Sequence, residues 1–319
     1  MDARVNKTTL DSGVPIKNTS ARSLQIFLAG WRNLWLHIRH QPLAIIGIGI
    51  IGLFALMAIA HPILMATVWD QVTFHPLVGF DYDTIPHPNL PSRKHLLGTD
   101  AMGRDVLSQL LFATRTSFAL GLVAGIVATT LATTIGVFSA HYGGIIDTFL
   151  MGISDAFVLM PPPVVLLVVG LLVDMGWLEV GLVFGLFAGL GSLAIIAKSH
   201  AQSVKVKSYI DAARVAGGSS WHIMRFHYLP HMFSLMLVNM MFTVTQSVLI
   251  EALLSFFGRT QIRMSWGTMI WFTQVTFRLS AFGEQWHAVL APAIAITLFC
   301  GSFYILGRSL DEVINPKLR

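Results

Sequence analysis

The chain has few of the residues that keep a protein in water or cross-link it. Only 12% of its 319 residues are charged, whereas soluble domains carry roughly 25%. A single cysteine, Cys300, excludes a disulfide scaffold and a thiolate metal site. Hydrophobic residues make up 54% and the mean hydropathy is +0.68, which excludes a disordered chain. The composition predicts a protein that lies largely in lipid.

Motifs for hydrolysis, metal binding and phosphate binding are also missing. The sequence has no HExxH motif, no GxSxG nucleophile elbow and no GxxxxGK[ST] phosphate loop. The segment Gly47–Gly52 matches the GxGxxG dinucleotide pattern, but it lies inside an apolar run with no strand before it, so we interpret it as a helix-packing feature. We therefore expect a chain that is not an enzyme, that binds no cofactor or metal, and that does not hydrolyse ATP by itself.

Six apolar runs reach or approach the roughly 20 residues that a helix needs to cross a bilayer. They are 43–60, 118–138, 157–173, 180–197, 232–250 and 288–306. Small residues repeat every fourth position in two of them, at Gly121 and Gly125 and at Gly181, Gly185 and Gly189, a spacing typical of closely packed membrane helices. The sequence predicts an all-α membrane protein with six transmembrane helices.

The lysines and arginines lie between the apolar runs, so the net charge of +5 indicates membrane orientation and not nucleic-acid binding. If both termini are inside, the inner segments hold 14 of the 21 lysines and arginines and the outer segments hold 7, which predicts that both termini are cytoplasmic. Residues 24–39 carry apolar side chains at helical spacing and predict an amphipathic helix on the membrane surface. The expected organisation is a cytoplasmic tail and interfacial helix over 1–42, a first anchor over 43–60, an extracytoplasmic loop over 61–117, a five-helix core over 118–307 with a cytoplasmic loop over 198–230, and a cytoplasmic tail over 308–319.

The cytoplasmic loop carries a distinctive pattern of alanine, glycine and serine. The alanines before Gly217 favour a short helix, the glycine suits a left-handed stop, and Ser219 or Ser220 would cap a second helix. That second helix would carry one apolar stripe, formed by Trp221, Met224 and Tyr228. Because such a stripe outside the lipid needs a cover, the loop predicts a partner protein.

The same loop resembles the EAA loop of ABC importer permeases. Asp211, Ala212 and Ala213, then Gly217, then Leu229 and Pro230 stand at that family's spacing. An aspartate replaces the usual glutamate, and His227 stands where the family commonly has an aliphatic residue. The resemblance implies that this segment couples the permease to an ATPase subunit. The implied coupling residues are Asp211, Ala212, Ala213, Gly217, Trp221, Leu229 and Pro230.

A second stretch, before the second apolar run, resembles the GTD-x-x-GRD-x-x-SR signature of the dipeptide, oligopeptide and nickel branch of these permeases. Its matching residues are Gly98, Thr99, Asp100, Gly103, Arg104, Asp105 and Ser108. Gln109 stands in place of the usual basic residue, and Arg259–Met264 replaces a segment that usually contains Gly and Pro. We expect the signature to form a folded extracytoplasmic patch in which Asp100 and Asp105 both lie beside Arg104.

The resemblance implies the type I ABC importer permease fold and a complex in a bacterial or archaeal plasma membrane. The partners would be a second permease subunit, two ATPase subunits that bind ATP and Mg²⁺, and an extracytoplasmic substrate-binding protein. The two permeases would enclose a pathway that opens alternately to each side. Peptides are favoured over nickel as substrates because no cluster of soft ligands lines the apolar runs.

Asp155 and Glu251 are ionisable residues in or beside apolar runs, and such residues are candidates for the translocation pathway. Each has a structural alternative. Asp155 would satisfy backbone groups near the interruption at Pro161–Pro163, and Glu251 would cap the outer end of the fifth span. An ion-coupled secondary transporter is the alternative function, but it predicts interrupted helices in both halves of the chain. An intramembrane hydrolase would need a nucleophile and base motif that the sequence lacks.

Overall fold

The computed structural model describes residues 41–258, 260–277 and 285–314. Within these ranges the protein is helical and has no strand, and a single isolated bridge joins Thr99 to Asp105. The prediction of an all-α protein is confirmed for this part of the chain. The predicted interfacial helix over 24–39 lies outside the described residues.

Twelve α-helices follow one another along the described chain, and a π-helical turn over Met224–Tyr228 joins the ninth to the tenth. They are α1 Pro42–Thr67, α2 Gln71–Phe74, α3 Val106–Tyr142, α4 Gly144–Leu159, α5 Pro162–Leu172, α6 Trp177–Leu190, α7 Ser192–Lys205, α8 Ser208–Val215, α9 Ser220–Ile223, α10 Leu229–Phe256, α11 Trp266–Phe277 and α12 Trp286–Ile314.

Four helical segments are long and apolar enough to cross a membrane as single units: α1, α3, the continuous helix from α9 through α10, and α12. Two further spans are bent pairs, α4 with α5 at 82° and α6 with α7 at 45°. Counting each pair once gives the six predicted spans. The predicted interruption of the third span at Pro161–Pro163 is confirmed, because these prolines remove backbone donors and end α4. The span begins at Gly144, earlier than the predicted apolar run 157–173.

Several helices extend beyond the apolar runs that predict them. Helix α3 begins at Val106 and α1 ends at Thr67, so the connection between them is 68–105 and not the predicted 61–117. We call this connection the signature loop. Helix α12 continues to Ile314, into the predicted tail 308–319. Hydropathy identifies only the lipid-facing length of a helix, while polar residues and caps extend it on either side.

Helix α3 lies at the centre of the bundle, and α6 packs along it through a row of glycines. A Cβ added to Gly185 or Gly189 would lie 2.9 and 2.8 Å from the backbone oxygens of Ala124 and Ala128. A Cβ on Gly181, one turn earlier, would lie 3.1 Å from the backbone oxygen of α3 beside it. These distances leave no room for a side chain, and they confirm the predicted helix-packing role of this spacing.

The two conspicuous connections lie at opposite ends of α3. The signature loop leads directly into its first turn. Residues 208–223, which we call the glycine corner, pack near its last turn, where Ile210 and Ile223 share a buried cluster with Val137 and Ala140. A helix of 37 residues is about 55 Å long. The two sites are therefore separated by the full depth of the bundle.

Candidate functional site

A buried ion pair organises the centre of the signature loop. The Asp100 carboxylate accepts hydrogen bonds from the Arg104 side chain at 2.7 Å, from the backbone N–H groups of Met102 and Arg104 at 2.9 Å, and from the Gln109 side chain at 2.9 Å. Both charged residues are less than 10% exposed. The Arg104 guanidinium also lies 5.2 Å from the ring centre of Phe272 on α11. The pair thus fixes the loop to the helix that precedes α12.

A second buried cluster is centred on His95, whose two ring nitrogens lie 2.9 Å from Asp81 and 2.8 Å from Asp105. Lys94 lies 2.8 Å from the other oxygen of Asp81. A neutral imidazole has one N–H, so hydrogen bonds to two carboxylates require one further proton, on the ring or on a carboxylate. The expectation that Asp105 pairs with Arg104 is wrong, because His95 occupies its carboxylate and Arg104 is paired with Asp100.

The two carboxylates on His95 differ in their acidity. Burial acts to raise the pKa of Asp81, but hydrogen bonds from Lys94, Thr84 and His95 outweigh it and hold this pKa well below its ordinary value. Burial raises the pKa of Asp105 despite hydrogen bonds from Ser108 and His95. Asp81 is therefore the more acidic of the two carboxyl groups that contact His95.

The glycines of the signature allow the loop to close tightly. Gly98 and Gly103 have φ angles of +75° and +77°, which side chains rarely adopt, and a Cβ on Gly98 would collide with the backbone oxygen of Asn89. Between them, the Thr99 hydroxyl accepts a hydrogen bond from the Asn89 N–H at 2.9 Å, and the Thr99 carbonyl accepts one from His287 at 3.1 Å. His287 belongs to α12, so the loop is tied to the last span as well.

Asp81, His95 and His287 are among the members of this network that sequence reasoning missed. His95 lies three residues before the Gly98 of the signature and could have been included by its position. Asp81 and His287 are far from the motif along the chain and carry no sequence signal that links them to it.

The glycine corner has the local geometry that its sequence predicts. Helix α8 ends in a turn where Gly217 has a φ of +80°, and the N–H groups of Gly217 and Gly218 bond back to Arg214 and Ala213 at 3.0 and 2.9 Å. Ser219 caps α9 by accepting a hydrogen bond from the His222 N–H at 3.3 Å. Of the two candidate caps, Ser219 is the one used.

The outer surface of the corner is exposed and partly apolar. Asp211 and Ala212 are exposed, and Asp211 forms an ion pair with Arg214 at 3.1 Å. Val215 is 90% exposed and Trp221 is 62% exposed. On the opposite side the corner is held to the bundle by a buried cluster that includes Ile210, Ile223, Met224, Tyr228 and Met232.

The predicted apolar stripe on the second helix is wrong in one member. Met224 and Tyr228 are buried, but Trp221 points to the exposed surface. Ile223 takes the buried position in its place, so the buried face consists of Ile223 and, in the π-helical turn that follows α9, Met224 and Tyr228.

The same turn makes α9 continuous with α10, so Pro230 does not mark a separate entry into the fifth span. The Leu229 N–H bonds to the Met224 carbonyl, and Pro230, which has no N–H, stands in the first turn of α10. Leu229 is 39% exposed, and Pro230 is also exposed. Both predicted residues therefore lie on the helix that connects the corner to the span.

Two lysines of α7 brace the bundle beneath the corner. The Lys205 ammonium donates to the carbonyl oxygens of Ala140 and His141 at 2.6 and 3.2 Å, where the end of α3 leaves carbonyls unpaired. Lys198 forms an ion pair with Asp147 of α4 at 2.6 Å. These contacts hold three helices together at this end.

The two pathway candidates occupy different environments. Glu251 is 1% exposed inside α10, where its Oε1 accepts hydrogen bonds from Ser255 and Ser265 at 2.6 Å, while its Oε2 has no partner in the described part of the chain. Asp155 is exposed on α4. Glu251 therefore joins α10 to the connection before α11, and it does not cap the end of the span. Among the described residues, no group of three His, Cys, Asp or Glu side chains could hold a metal ion.

The family to which the chain belongs follows from comparison with known proteins. Residues 132–319 match the family described as binding-protein-dependent transport system inner membrane component, and residues 30–88 match the N-terminal TM domain of oligopeptide transport permease C. The chain belongs to this family of inner-membrane permease subunits of ABC importers. The alternative of an ion-coupled secondary transporter is thereby set aside.

Three relatives show how far the similarity extends. The chain is 29% identical over 293 residues to the glutathione transport system permease protein GsiD of Pectobacterium atrosepticum, with 91% of this chain and 92% of that protein covered. It is 29% identical over 308 residues to the dipeptide transport system permease protein DppC of Bacillus subtilis, with 95% and 91% covered. It is 27% identical over 299 residues to the oligopeptide transport system permease protein OppC of the same species, with 92% and 91% covered.

Proposed function

We propose that the chain forms half of the translocation pathway for peptides or related small solutes, paired with a second, different permease subunit. The named substrates of its relatives, glutathione, dipeptides and oligopeptides, support this substrate class. Two ATPase subunits would supply the energy, with ATP and Mg²⁺ bound on them. The chain itself would bind no cofactor and catalyse no reaction.

The exposed glycine corner is the observation that carries the coupling role. Val215 and Trp221 present large apolar side chains to the outside at one end of the bundle, beside the charged pair of Asp211 and Arg214. An apolar patch with a polar rim is typical of a protein interface. Permeases of this family work with ATPase subunits, so the corner would be the docking element for one of them.

The continuous helix from α9 to α10 would transmit the movement of the ATPase to the pathway. The corner is anchored to this helix by Ile223, Met224 and Tyr228, and the helix then crosses the bundle. A shift of the corner therefore displaces α10 without an intervening flexible loop. Closure of the ATPase pair would rock the spans between two arrangements, which is the behaviour expected of a packed element with discrete positions.

The membrane orientation is part of the proposal. With both termini in the cytoplasm of a bacterial or archaeal cell, the glycine corner faces the cytoplasm and the signature loop faces outward. The distribution of lysine and arginine supports this orientation. The signature loop, folded around Asp100 and His95, would then be the surface that meets the extracytoplasmic binding protein.

The coupling role can be tested with Gly217→Val in the assembled importer. The left-handed φ of Gly217 makes a β-branched residue unfavourable, although a Cβ there would meet nothing within 4 Å in this chain. We expect a distorted corner, loss of bound ATPase or loss of ATP-driven uptake in vesicles, and normal insertion of the spans. Gly143→Val is a matched control, because Gly143 also has a positive φ of +67° and open space around it. Normal ATPase binding together with normal uptake in the Gly217 variant would contradict the coupling role.

A further inference from the structure

A cavity of about 400 Å³ opens at the signature-loop end of the bundle. It lies between the first third of α3, the beginning of α6 and residues 261–264, which follow α10. Its polar lining comes from Arg115, Thr116, Gln261 and Arg263, and Trp177 contributes an aromatic wall. The volume is within the range of sites that bind small organic ligands, roughly 300–1,000 Å³.

The charged side chains that line the cavity are both positive. Arg115 and Arg263 both line it, both are exposed, and neither forms an ion pair within the described ranges. The described lining contains no carboxylate. Two carboxylates lie beside the lining: Asp174 accepts a hydrogen bond from Gln261 at 3.0 Å, and a Cβ on the lining residue Gly176 would lie 2.8 Å from the Glu179 carboxylate. Two like charges around one cavity repel each other unless an anion lies between them.

We infer that this cavity binds a carboxylate of the transported solute, before the solute enters the pathway. A guanidinium group offers paired N–H donors that match the two oxygens of a carboxylate, and two such groups can hold one anion from both sides. Thr116 adds a hydroxyl donor, and Trp177 adds apolar contact for the rest of a short peptide. This inference rests on the proposed function, and it adds a preference for solutes with a free carboxylate.

The position of the cavity suits a capture step. It lies on the same end of the bundle as the signature loop, where the proposed orientation places the binding protein. Arg263 belongs to the stretch Arg259–Met264, where the sequence departs from the pattern of the resembled family, so its charge is not part of that pattern. A phosphate of a lipid headgroup presents the same oxyanion chemistry and is the competing source of a ligand.

The test compares ATP-driven uptake of trialanine and trialanine amide by the whole importer in vesicles. The two peptides differ only at the terminal carboxylate, and the binding protein is the same in all samples, so any change in the uptake ratio between permease variants belongs to the permease. We expect the double variant Arg115→Gln/Arg263→Gln to reduce the preference for trialanine about tenfold, the size of one charge-assisted hydrogen-bonded pair. Each single variant should reduce this preference by a smaller factor. The single variants keep the test possible if the double variant does not assemble.

The matched control is Arg93→Gln. Arg93 is an exposed arginine of the signature loop that does not line the cavity, and its replacement should leave the uptake ratio unchanged. An unchanged ratio in the Arg115 and Arg263 variants, with normal uptake of both peptides, would overturn the inference and leave the proposed function intact. A wild-type importer that takes up neither peptide would instead contradict the proposed function and the inference with it.

Lipid composition separates the two sources of the anion. The arginine variants should lower the uptake ratio equally in vesicles of phosphatidylcholine alone and in vesicles that also contain phosphatidylglycerol. An effect confined to vesicles with the anionic lipid would show that the cavity holds a lipid phosphate, and it would overturn the assignment to the solute.

Discussion

Both carboxylate oxygens of Asp100 accept hydrogen bonds, so removing Asp100 and removing Arg104 should cost different amounts of stability. If Arg104 is removed, the Asp100 carboxylate keeps hydrogen bonds from Gln109 and from two backbone N–H groups. If Asp100 is removed, the buried Arg104 guanidinium keeps only its contact with the Phe272 ring among the interactions described above. An uncompensated buried charge is the more costly of the two outcomes.

We therefore expect Asp100→Ala to reduce the free energy of unfolding by about 3–5 kcal/mol, and Arg104→Ala to reduce it by roughly half as much. Thermal unfolding of the purified chain in detergent would measure both, with Arg93→Ala as the exposed control. Equal losses in the two variants would show that the backbone donors and Gln109 do not support the carboxylate.

The lowered pKa of Asp81 predicts a pH-dependent contribution to stability. A carboxyl group whose pKa is lower in the folded state stabilises the fold above its ordinary pKa of 3.8, and this stabilisation is lost as the pH falls toward the folded value. The wild type should therefore be more stable than Asp81→Asn at pH 7, and the difference should narrow between about pH 5 and pH 2. Unfolding temperatures across this range would measure it.

Asp83→Asn is the matched control for that experiment. Asp83 also pairs with Lys94, at 3.0 Å, but its side chain is 85% exposed, so solvent screens the pair. The Asp83 variant should follow the wild type at each pH. A constant difference between wild type and Asp81→Asn over the whole range would mean that the contribution of Asp81 does not depend on its charge.

At the scale of helices, the contact between α3 and α6 depends on the absence of side chains. A Cβ at Gly185 would lie 2.9 Å from both the Ala124 oxygen and the Val127 Cβ, and these atoms cannot move without separating the helices. Gly185→Leu should therefore reduce stability by about 1–3 kcal/mol or more and lower the yield of folded protein. Gly52→Leu is the control, because a Cβ there meets nothing within 4 Å. Comparable stability of the two variants would contradict the close packing.

The number and order of the spans could be predicted from the sequence because lipid demands long apolar runs. The ends of the helices could not, since they depend on caps such as Asp105, which is read as a cap only once the helix is known to begin at Val106. The sharp bend before Pro162 has a sequence cause in the three prolines, and the milder bend at Gly191 has none as clear. The π-helical turn over Met224–Tyr228 is likewise not indicated by the hydrophobic periodicity of the sequence.

The same division holds for the candidate site. The glycine corner is local, so its turn and its cap follow from adjacent residues such as Gly217 and Ser219. The clusters around Asp100 and His95 are assembled from distant positions. Asp81 lies 14 residues before His95, and His287 lies 188 residues after Thr99. Such pairings result from the packing of the whole chain. A sequence motif contains only one of the two residues in each pair, so it does not identify the other.

At the scale of the whole molecule, the orientation can be measured with single cysteines. The native Cys300 is buried and 7% exposed, so it adds little background labelling. Ile85 on the signature loop is 63% exposed and Val215 on the glycine corner is 90% exposed. In intact cells a membrane-impermeant maleimide should label Ile85→Cys at once and Val215→Cys only after the membrane is permeabilised. The reverse pattern would invert the proposed topology.

The contacts of the signature loop also determine how parts could be exchanged between related permeases. Asp81 contacts His95, Asp100 accepts a hydrogen bond from Gln109, and the Thr99 carbonyl accepts one from His287 in another helix. A chimera that transplants only the short motif would contain one residue of each pair. Its buried charged groups would then lack their partners in the new protein. The smallest unit that contains all of these contacts is the segment 68–109 together with the residues at positions 272 and 287. A graft of that unit should keep its structure in a related permease.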